Sequence, residues 1–567
     1  MSKRLKKNNL LQLIPLGGVG EIGNNMFALK YGEECLVLDA GLKFPEEEMH
    51  GVDIVIPDTT YLLENRELIK GIILSHGHED HIGALPYLVK DLDVPIYGTR
   101  LTLGMLQSKI ADHEVLRGAE MREFHPEQPL AISPAFNLEF FRTNHSIPDS
   151  VGIAVHTPAG TIVYTSDFKF DQTPVDGRIT DFHKLADLGR RGVLAAMIDC
   201  TNADRPGYTM SEKEVGKTID DIFRLSQSRI IFATFSTNIH RIQQVISAAH
   251  RYKRKVCVIG RSIISTVEIA SELGYLDIPE GILVDLDQID YLPHEQLALI
   301  TTGSQGEPMS ALTRISLSEH RRVEIVPGDT VIISATPIPG NEKLVSRTVN
   351  NLFKRGAEVY YSDISGIHVS GHGSEEDIKL MLNLLRPQYV IPVHGEYRHQ
   401  IHCAKIAEQL GLPHEHIFVV EPGTVMEFME GEGHIAGSVS AGKVMVDGLG
   451  VGDVGDVVLR DRRILAEEGI LIVVLAIDSE SGAVVSGPEI VTRGFVYVRE
   501  SEELLEEAKQ TIESKIATLG REQLLEWSIV KSNVRDAASS FFFEKTGRRP
   551  MIMPIIIELA ADKIEDH

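Results

Sequence analysis

Three histidines and an aspartate lie within six residues of one another in the stretch "HGHEDH", at His76, His78, Asp80 and His81. Imidazole and carboxylate groups suit Zn(II) and related divalent metals as ligands. Alternate residues of an extended backbone can turn to one side, so these side chains can converge on one point. A single exposed histidine would carry no such meaning, but four ligand-type side chains this close together predict a metal site.

The apolar run "GIIL" comes just before this stretch and predicts a buried strand that ends at the histidines. Three later apolar runs also end near a ligand-type residue, namely His145, Asp167 and His394. Polar residues that follow a strand lie at the edge of a sheet, where ligands are presented. In this order after the first cluster, the residues form a set that is large enough for two metal ions.

An alternative comes from "GVGEIG" at residues 18–23, which fits G-x-G-x-x-G, with Asp39 placed where a dinucleotide fold has its ribose-binding carboxylate. A dinucleotide site requires a helix directly after the glycines. Here two apolar runs follow, joined by a turn at Gly32, and they predict a β-hairpin. A glycine-rich turn between strands is therefore favoured over cofactor binding.

The composition is that of an ordinary globular protein, with 43% hydrophobic and 24% charged residues. A chain of 567 residues is too long for one core and predicts three or four modules. The N-terminus lacks a signal-peptide pattern, and the longest apolar run is too short for a membrane span. We therefore expect a cytoplasmic protein without a membrane partner. The four cysteines lie far apart, so we expect reduced core residues.

The formal net charge of -25 argues against polyanion binding over the whole surface. The charge is uneven, however, because residues 216–364 carry 16 Lys plus Arg and 17 Asp plus Glu. A polyanion could therefore still bind locally.

The ligand-type residues are unevenly spaced, since His394 stands 227 positions after Asp167. That interval can hold a whole inserted domain. Its apolar runs alternate with helical segments, as in a parallel α/β module, and Ser211 with Glu214 predicts a capping box at the first helix. A domain inserted over the metal edge would create a deep cleft that could hold a long polymer.

With these residues in place, the chain resembles the metallo-β-lactamase superfamily, whose fold is an αββα sandwich with a two-metal site along one edge. The resemblance implies one metal on His76, His78 and His145, a second on Asp80, His81 and His394, and Asp167 between them. A metal pair suits phosphodiester hydrolysis and equally amide, thioester or lactone hydrolysis. The resemblance also implies that Asp39 supports the metal ligands.

The resemblance narrows to the β-CASP nucleases, and among them to the bacterial ribonuclease J family, over essentially the full chain. Asp199 in "AAMIDCTNAD", His372 in "GIHVSGHGSEED" and His394 in "PVHGE" match the motifs of that family in order. A histidine at the last position is typical of RNA-acting members. The resemblance implies cleavage of RNA.

The residue types fit phosphodiester cleavage, which requires a proton for the departing 3'-oxygen. His372, oriented by Asp199, is the predicted general acid, because imidazole titrates near neutrality; a structural role in a glycine-rich turn is the alternative. The resemblance also implies that the loop from His368 to His372 binds the substrate phosphate next to the scissile bond. This loop includes Val369, Ser370 and Gly371. Ser236, before a predicted helix, is a second candidate phosphate contact, although ordinary capping would explain it equally well.

We expect the metallo-β-lactamase domain at residues 1–215 and 365–438, the β-CASP domain at 216–364, a linker at 439–460 and a small C-terminal α/β domain at 461–567. The resemblance implies that the last domain takes part in dimer or tetramer formation.

The resemblance thus implies a ribonuclease that combines 5'-to-3' exonuclease and endonuclease activity in RNA processing, maturation and decay. We expect two divalent metal ions per subunit, Zn(II) first and Mn(II) as the alternative. The expected substrate is single-stranded, 5'-monophosphorylated RNA, and a degradation complex is a possible setting. A DNA nuclease, a small-molecule metallohydrolase and an inactive assembly subunit stay open as alternatives.

Overall fold

The structure, a computed structural model, describes residues 9–109, 114–307, 309–338, 341–361, 366–496 and 501–559. The chain divides into two compact units: the first ends at Val444, and the second begins at Met445 and also includes Pro45–Asp53. In the described residues no helix is both long and apolar enough to cross a membrane. All four cysteines are free and buried, as expected of core residues.

The first unit begins with the strands and helices that precede the insertion. The strands are β1 Leu11–Pro15, β2 Phe27–Tyr31, β3 Glu34–Leu38, β4 Ile54–Pro57, β5 Ile69–Ile73, β6 Ile96–Gly98, β7 Met121–Glu123, β8 Leu130–Ala131, β9 Asn137–Arg142, β10 Val151–Thr157, β11 Gly160–Tyr164 and β12 Ala195–Asp199. The helices are α1 Thr60–Glu64, α2 Glu79–Ile82, α3 Leu85–Leu88, α4 Arg100–Ser108 and α5 Phe182–Arg191.

The inserted part of the first unit is a parallel α/β module, as its alternating pattern predicts. Its strands are β13 Ile230–Ala233, β14 Lys255–Ile259, β15 Leu297–Thr301, β16 Thr330–Ile333 and β17 Glu358–Tyr361. Its helices are α6 Glu212–Leu225, α7 Ile239–Arg251, α8 Arg261–Glu272, α9 Ala311–Ser316 and α10 Glu342–Lys354. The sheet order is β14-β15-β13-β16-β17 with every pair parallel.

The predicted capping box at α6 is only half correct. Ser211 is the N-cap, and its hydroxyl accepts a hydrogen bond from the backbone N–H of Lys213 at 3.2 Å. The carboxylate of Glu214 instead binds Lys217 at 2.7 Å, one turn further along the helix. An exposed lysine at that spacing competes for the carboxylate that the box would need.

The chain then returns to the first fold with β18 Tyr389–Val393, β19 Thr424–Met429, β20 Glu432–Ser438, α11 Glu375–Leu385 and α12 Tyr397–Gln409. Two sheets result, one ordered β20-β19-β1-β2-β3-β5-β6-β7 and the other β18-β12-β11-β10-β9-β8. One apolar cluster combines the side chains of both sheets, and a second cluster joins the second sheet to α5, α11 and α12. This is the predicted αββα sandwich.

The second unit contains β21 Lys443–Asp447, β22 Gly450–Val451, β23 Ile470–Asp478, β24 Val484–Arg493 and β25 Met551–Leu559, with β21 beginning at the end of the first unit. Its helices are α13 Asp456–Glu467, α14 Glu502–Ala517, α15 Arg521–Leu524 and α16 Trp527–Thr546. The sheet β24-β23-β25 has its own apolar core with α14 and α16. The stretch predicted as a linker thus contains two short strands and the start of a helix.

Candidate metal centre and active site

The first group of ligand-type side chains consists of three histidines and Asp167. His76 and His78 follow β5, and His145 follows β9. Nδ1 of His78 lies 3.0 Å from Nε2 of His76 and 3.1 Å from Nε2 of His145. Asp167, after β11, approaches with Oδ2 at 3.4 Å from Nε2 of His145 and 3.6 Å from Nε2 of His76. The four ligand atoms lie within 4.8 Å of one another.

The second group consists of Asp80, His81, Asp167 and His394, again with ligand atoms within 4.8 Å of one another. Asp80 and His81 lie on the short helix α2, whereas His394 follows β18. Nε2 of His394 lies 2.9 Å from Oδ2 of Asp80. Nε2 of His81 lies 3.3 Å from Oδ1 of Asp167. Asp167 belongs to both groups, one carboxylate oxygen facing each.

The donor set fits divalent metal ions. Two ligands of a tetrahedral Zn(II), each about 2.0–2.1 Å from the ion, lie about 3.3 Å apart, and the nitrogens of the first group are spaced at 3.0 and 3.1 Å. Within the described residues, the buried Oδ1 of Asp167 receives no well-aligned hydrogen bond. A buried carboxylate oxygen is costly without a partner, and a cation at this point would provide one.

The two groups differ in their electrostatics. Burial lowers the pKa of His78 to about 4 and holds the pKa values of His76 and His145 well below the ordinary value, which favours the neutral imidazole that binds metals. Burial would also lower the pKa of His394, but the neighbouring carboxylates, with Asp167 foremost, raise it to about 10. The second group is therefore rich in negative charge and attracts cations.

His372 and Asp199 form a pair beside the second group. Nδ1 of His372 lies 2.8 Å from Oδ2 of Asp199, and Nε2 of His372 lies 4.0 Å from Oδ2 of Asp167. Burial would lower the pKa of His372, but the carboxylates of Asp199 and Asp167 raise it above the ordinary value. Parallel pairing of β12 with β18 places Asp199 opposite Val393, so Asp199 and His394 reach the same edge.

The loop that contains His372 is held against the first group. The Gly371 carbonyl lies 2.9 Å from Nδ1 of His145. A Cβ atom at Gly371 would come within 2.6 Å of the His145 ring, so only glycine allows this approach. Asn202 donates from Nδ2 to the Ser370 hydroxyl at 2.8 Å and to the His372 carbonyl at 3.0 Å. Val369, within the same loop, is buried.

His368 and Ser236 are not brought into the metal groups that the described residues form. His368 is half-buried and contacts Arg241 on α7. Ser236 is half-buried in the loop between β13 and α7, before Asn238, whose side chain caps that helix by accepting from Arg241 N–H.

Asp39 lies behind the second group and is completely buried. Its Oδ2 lies 2.7 Å from Nδ1 of His81 and accepts hydrogen bonds from the hydroxyls of Ser75 and Tyr164, both at 2.8 Å, while Oδ1 accepts from the Ser75 N–H at 2.8 Å. A carboxylate on one ring nitrogen directs the other ring nitrogen towards the ligand site. Support of the metal ligands by Asp39 stays a prediction, and its contact with His81 is the observation on which that prediction rests.

The glycine-rich stretch 17–23 joins two strands, because β2 follows it directly. Gly18, Gly20 and Gly23 all have positive φ angles, which glycine adopts without steric cost. The Gly18 carbonyl accepts a hydrogen bond from the His394 N–H at 2.6 Å, and the Asn25 N–H donates to the Asp80 carbonyl at 3.1 Å. Gly18 in this stretch and Asn25 just after it therefore contact two loops that carry ligand-type side chains.

Sequence reasoning missed Thr201, whose hydroxyl lies 2.7 Å from Nδ1 of His394 and donates to Oδ1 of Asp199 at 2.8 Å. It also missed Asn202, which anchors the 370–372 loop, and Arg241. Thr201 and Asn202 follow Asp199 closely in "DCTNAD", so their place after a strand end was the available signal. Arg241 had no such signal.

Comparison with known proteins accounts for most of the chain. Residues 19–221 match the metallo-beta-lactamase superfamily, 227–352 match "Ribonuclease J, beta-CASP domain", 357–420 match "Zn-dependent metallo-hydrolase RNA specificity domain", and 457–559 match "Ribonuclease J C-terminal domain".

Full-length relatives agree with these matches. The chain is 47% identical to Ribonuclease J2 of Bacillus subtilis (strain 168), over 98% of this chain and 100% of that protein. It is 43% identical to Ribonuclease J 2 of Staphylococcus saprophyticus, over 99% and 100%. A solved protein of unknown function from Enterococcus faecalis V583 shares the fold, with a TM-score of 0.53 and 16% identity over 75% of this chain and 100% of that one.

The sandwich, its ligand groups and the inserted domain define a metallo-β-lactamase-fold protein of the β-CASP class that binds divalent metal. Within that class, the chain belongs to the ribonuclease J family. The family supports a metal-dependent ribonuclease with an RNA substrate.

Proposed function

We propose that the protein hydrolyses single-stranded RNA by a two-metal mechanism, as a 5'-to-3' exonuclease and an endonuclease. The observation that carries this proposal is the convergence of two His/Asp groups on Asp167, directly beside the His372–Asp199 pair. A metal pair and an acid at one strand edge are what in-line cleavage of a phosphodiester requires.

The proposed ligands divide between the two groups described above. One metal would be held by His76, His78 and His145, the other by Asp80, His81 and His394, with Asp167 shared. Zn(II) suits this nitrogen-rich set, and Mn(II) is the alternative. When bound, such a pair would activate the attacking water and neutralise developing charge on the phosphoryl oxygens.

His372 would supply the proton for the departing 3'-oxygen. Its Nδ1 is held by Asp199, so Nε2 is left to face the Asp167 side of the site. The neighbouring carboxylates raise the pKa of His372 against the effect of burial, which keeps a proton available near neutral pH. Asp199 itself would act by orienting the ring and stabilising its charged form.

The loop 368–372 would bind the substrate phosphate next to the scissile bond. The close approach of Gly371 to His145 supports this role, because His145 is one of the proposed metal ligands. The Ser370 hydroxyl already accepts from Asn202, so its position is defined. Ser236 stays a weaker candidate, because ordinary loop chemistry before α7 explains it equally well.

The wider setting is part of the same proposal. We assign residues 1–215 and 365–438 to the metallo-β-lactamase domain, 216–364 to the β-CASP domain and 461–567 to a C-terminal domain that forms dimers or tetramers. Family membership supports a role in RNA processing, maturation and decay in the cytoplasm, within a degradation complex.

The decisive experiment offers purified protein, loaded with Zn(II) or Mn(II), 5'-monophosphorylated single-stranded RNA and DNA of the same sequence. We expect mononucleotides released from the 5' end of RNA, together with internal fragments. The control is Asp80→Ala with His81→Ala. Cleavage of DNA with RNA left intact would reject the RNA assignment, and inertness towards both would favour an assembly subunit. Activity in the control would reject the two-metal mechanism.

A further inference from the structure

A completely buried arginine lies next to the proposed phosphate loop. Arg241, on α7 of the inserted domain, has no exposed surface. Its Nε and Nη2 donate to the two carboxylate oxygens of Glu212, at 2.6 and 2.7 Å. A buried guanidinium with a bidentate carboxylate partner is held rigidly in one orientation.

The remaining nitrogen of Arg241 points towards the loop. Nη1 lies within hydrogen-bond distance of three acceptors, namely the carbonyl and hydroxyl of Ser334, at 3.1 and 2.9 Å, and Nδ1 of His368, at 3.1 Å, which share its two N–H bonds. A guanidinium can only donate hydrogen bonds, so Nδ1 of His368 must accept. In a neutral imidazole the proton is then on Nε2.

The surroundings keep the His368 ring neutral. Burial comes first and the Arg241 guanidinium second among the causes that lower its pKa to about 3. Lys169 and Arg205 act in the same direction, whereas the Ser334 carbonyl, which also faces the ring, opposes them. The Ser334 carbonyl already accepts a hydrogen bond from Arg241, so it is a weaker acceptor for a proton on the His368 ring.

We propose that Arg241 is a positioning residue, which holds His368 as an uncharged Nε2–H donor for the 5'-terminal phosphate of RNA. This inference rests on the proposed function, in which the loop 368–372 binds the substrate phosphate next to the scissile bond. When the first nucleotide is removed from the 5' end, that phosphate is the 5'-terminal one. Arg241 itself does not touch the substrate. The guanidinium of Arg241 contacts Nδ1 of His368 and thereby determines which ring nitrogen carries the proton.

A neutral donor and a cation respond differently to substitution. The side-chain amide of glutamine carries its N–H near the position of Nε2, so it can replace a neutral histidine donor but not an imidazolium charge. The His368→Gln variant should therefore keep the preference for a phosphorylated end, and His368→Ala should lose it.

The test measures the ratio of kcat/KM for 5'-monophosphorylated RNA to that for 5'-hydroxyl RNA, at pH 8 with the metal-loaded full chain. Arg241→Met combined with Glu212→Gln removes both buried charges. The proton of the His368 ring is then no longer restricted to Nε2. We expect the ratio to fall about 10- to 100-fold, as for one hydrogen bond to a charged group. Glu212→Gln alone retains the Arg241 guanidinium and its contacts with Ser334 and His368, and it should change the ratio less than about threefold, as for one weak contact.

Two further variants separate positioning from stability. Arg229 and Asp329 form a similar buried pair in the inserted domain, with Nη2 and Oδ2 at 2.5 Å, at the opposite end of β13. Arg229→Met with Asp329→Asn should lower the melting temperature without lowering the ratio. His368→Gln added to the Arg241 and Glu212 changes should restore the ratio, because an amide needs no help to carry its proton.

Each outcome bears on a different part of the proposal. A wild-type ratio near one would overturn the phosphate role of the loop and this inference with it. A clear wild-type preference that survives loss of Arg241 would overturn the inference alone. The inference alone would also be overturned if His368→Gln lost the preference as fully as His368→Ala, and this comparison leaves the buried pair intact.

Discussion

Replacing Asp39 by asparagine should weaken one metal site without disturbing the backbone. Asp39 has a φ of 57°, a left-handed conformation that asparagine also tolerates. The new amide has one oxygen for two N–H donors, those of Ser75 and His81. The backbone proton of Ser75 cannot move, whereas an imidazole proton can. We therefore expect the amide oxygen to face Ser75 and the amide N–H group to face Nδ1 of His81.

The consequence falls on the other ring nitrogen. His81 would have to place its proton on Nε2, the atom that lies 3.3 Å from Asp167 and 3.7 Å from Asp80 in the second ligand group. A protonated nitrogen cannot bind a metal. Loss of such a supporting carboxylate typically costs 10- to 100-fold in metal affinity, about 1.4 to 2.7 kcal/mol.

The assay is competition for Zn(II) against a chromophoric chelator, with metal content measured after dialysis. We expect the wild-type protein to retain two ions and Asp39→Asn to lose one of them first. Tyr164→Phe is the matched control, because it removes a donor at 2.8 Å from the same carboxylate and leaves the His81 proton in place. Its affinity should change less than about threefold, as expected for one neutral hydrogen bond.

Two results would refute this reasoning. One is wild-type affinity for both ions in Asp39→Asn. The other is an equal loss of affinity in Tyr164→Phe, which would mean that general packing around Asp39 matters and the position of the His81 proton does not.

Three further predictions concern the same site and its neighbouring loop. His372→Ala should lower RNA cleavage about 10²- to 10⁴-fold with metal content unchanged, and wild-type rates would remove its role as the acid. Dialysis against EDTA should abolish cleavage, and Zn(II) or Mn(II) should restore it; persistent activity without metal would contradict the metal mechanism. Because the pKa of His368 is lowered to about 3, the unfolded chain takes up the proton first as the pH falls below about 6.5, so folding stability is lost there, by at most about 2 kcal/mol at pH 5. Urea titrations in EDTA at pH 7.5 and pH 5 should show a smaller loss for His368→Gln, and equal losses would disprove this linkage.

The resemblance suggested the ligand set, and four of its members stand at or just after the end of an apolar run in the sequence. His76, His145, Asp167 and His394 each follow a strand of the sandwich, and the pattern of apolar runs predicts those strands. One local feature was not indicated by the sequence pattern, for a physical reason. The predicted linker at 439–460 contains β21 and β22, because short, half-exposed strands leave little periodic signal.

The sequence by itself determined the types of ligand, their order and the interruption by a second α/β module, because strand periodicity and spacing are local properties of the chain. Only the tertiary structure decided which groups meet across long separations. His372 reaches Asp199 across 173 positions and His368 reaches Arg241 across 127. No periodicity records such pairs, since they depend on how the inserted domain and the returning strand pack against the first sheets. The positions of the ring protons follow from those contacts, and they were therefore decided by the fold.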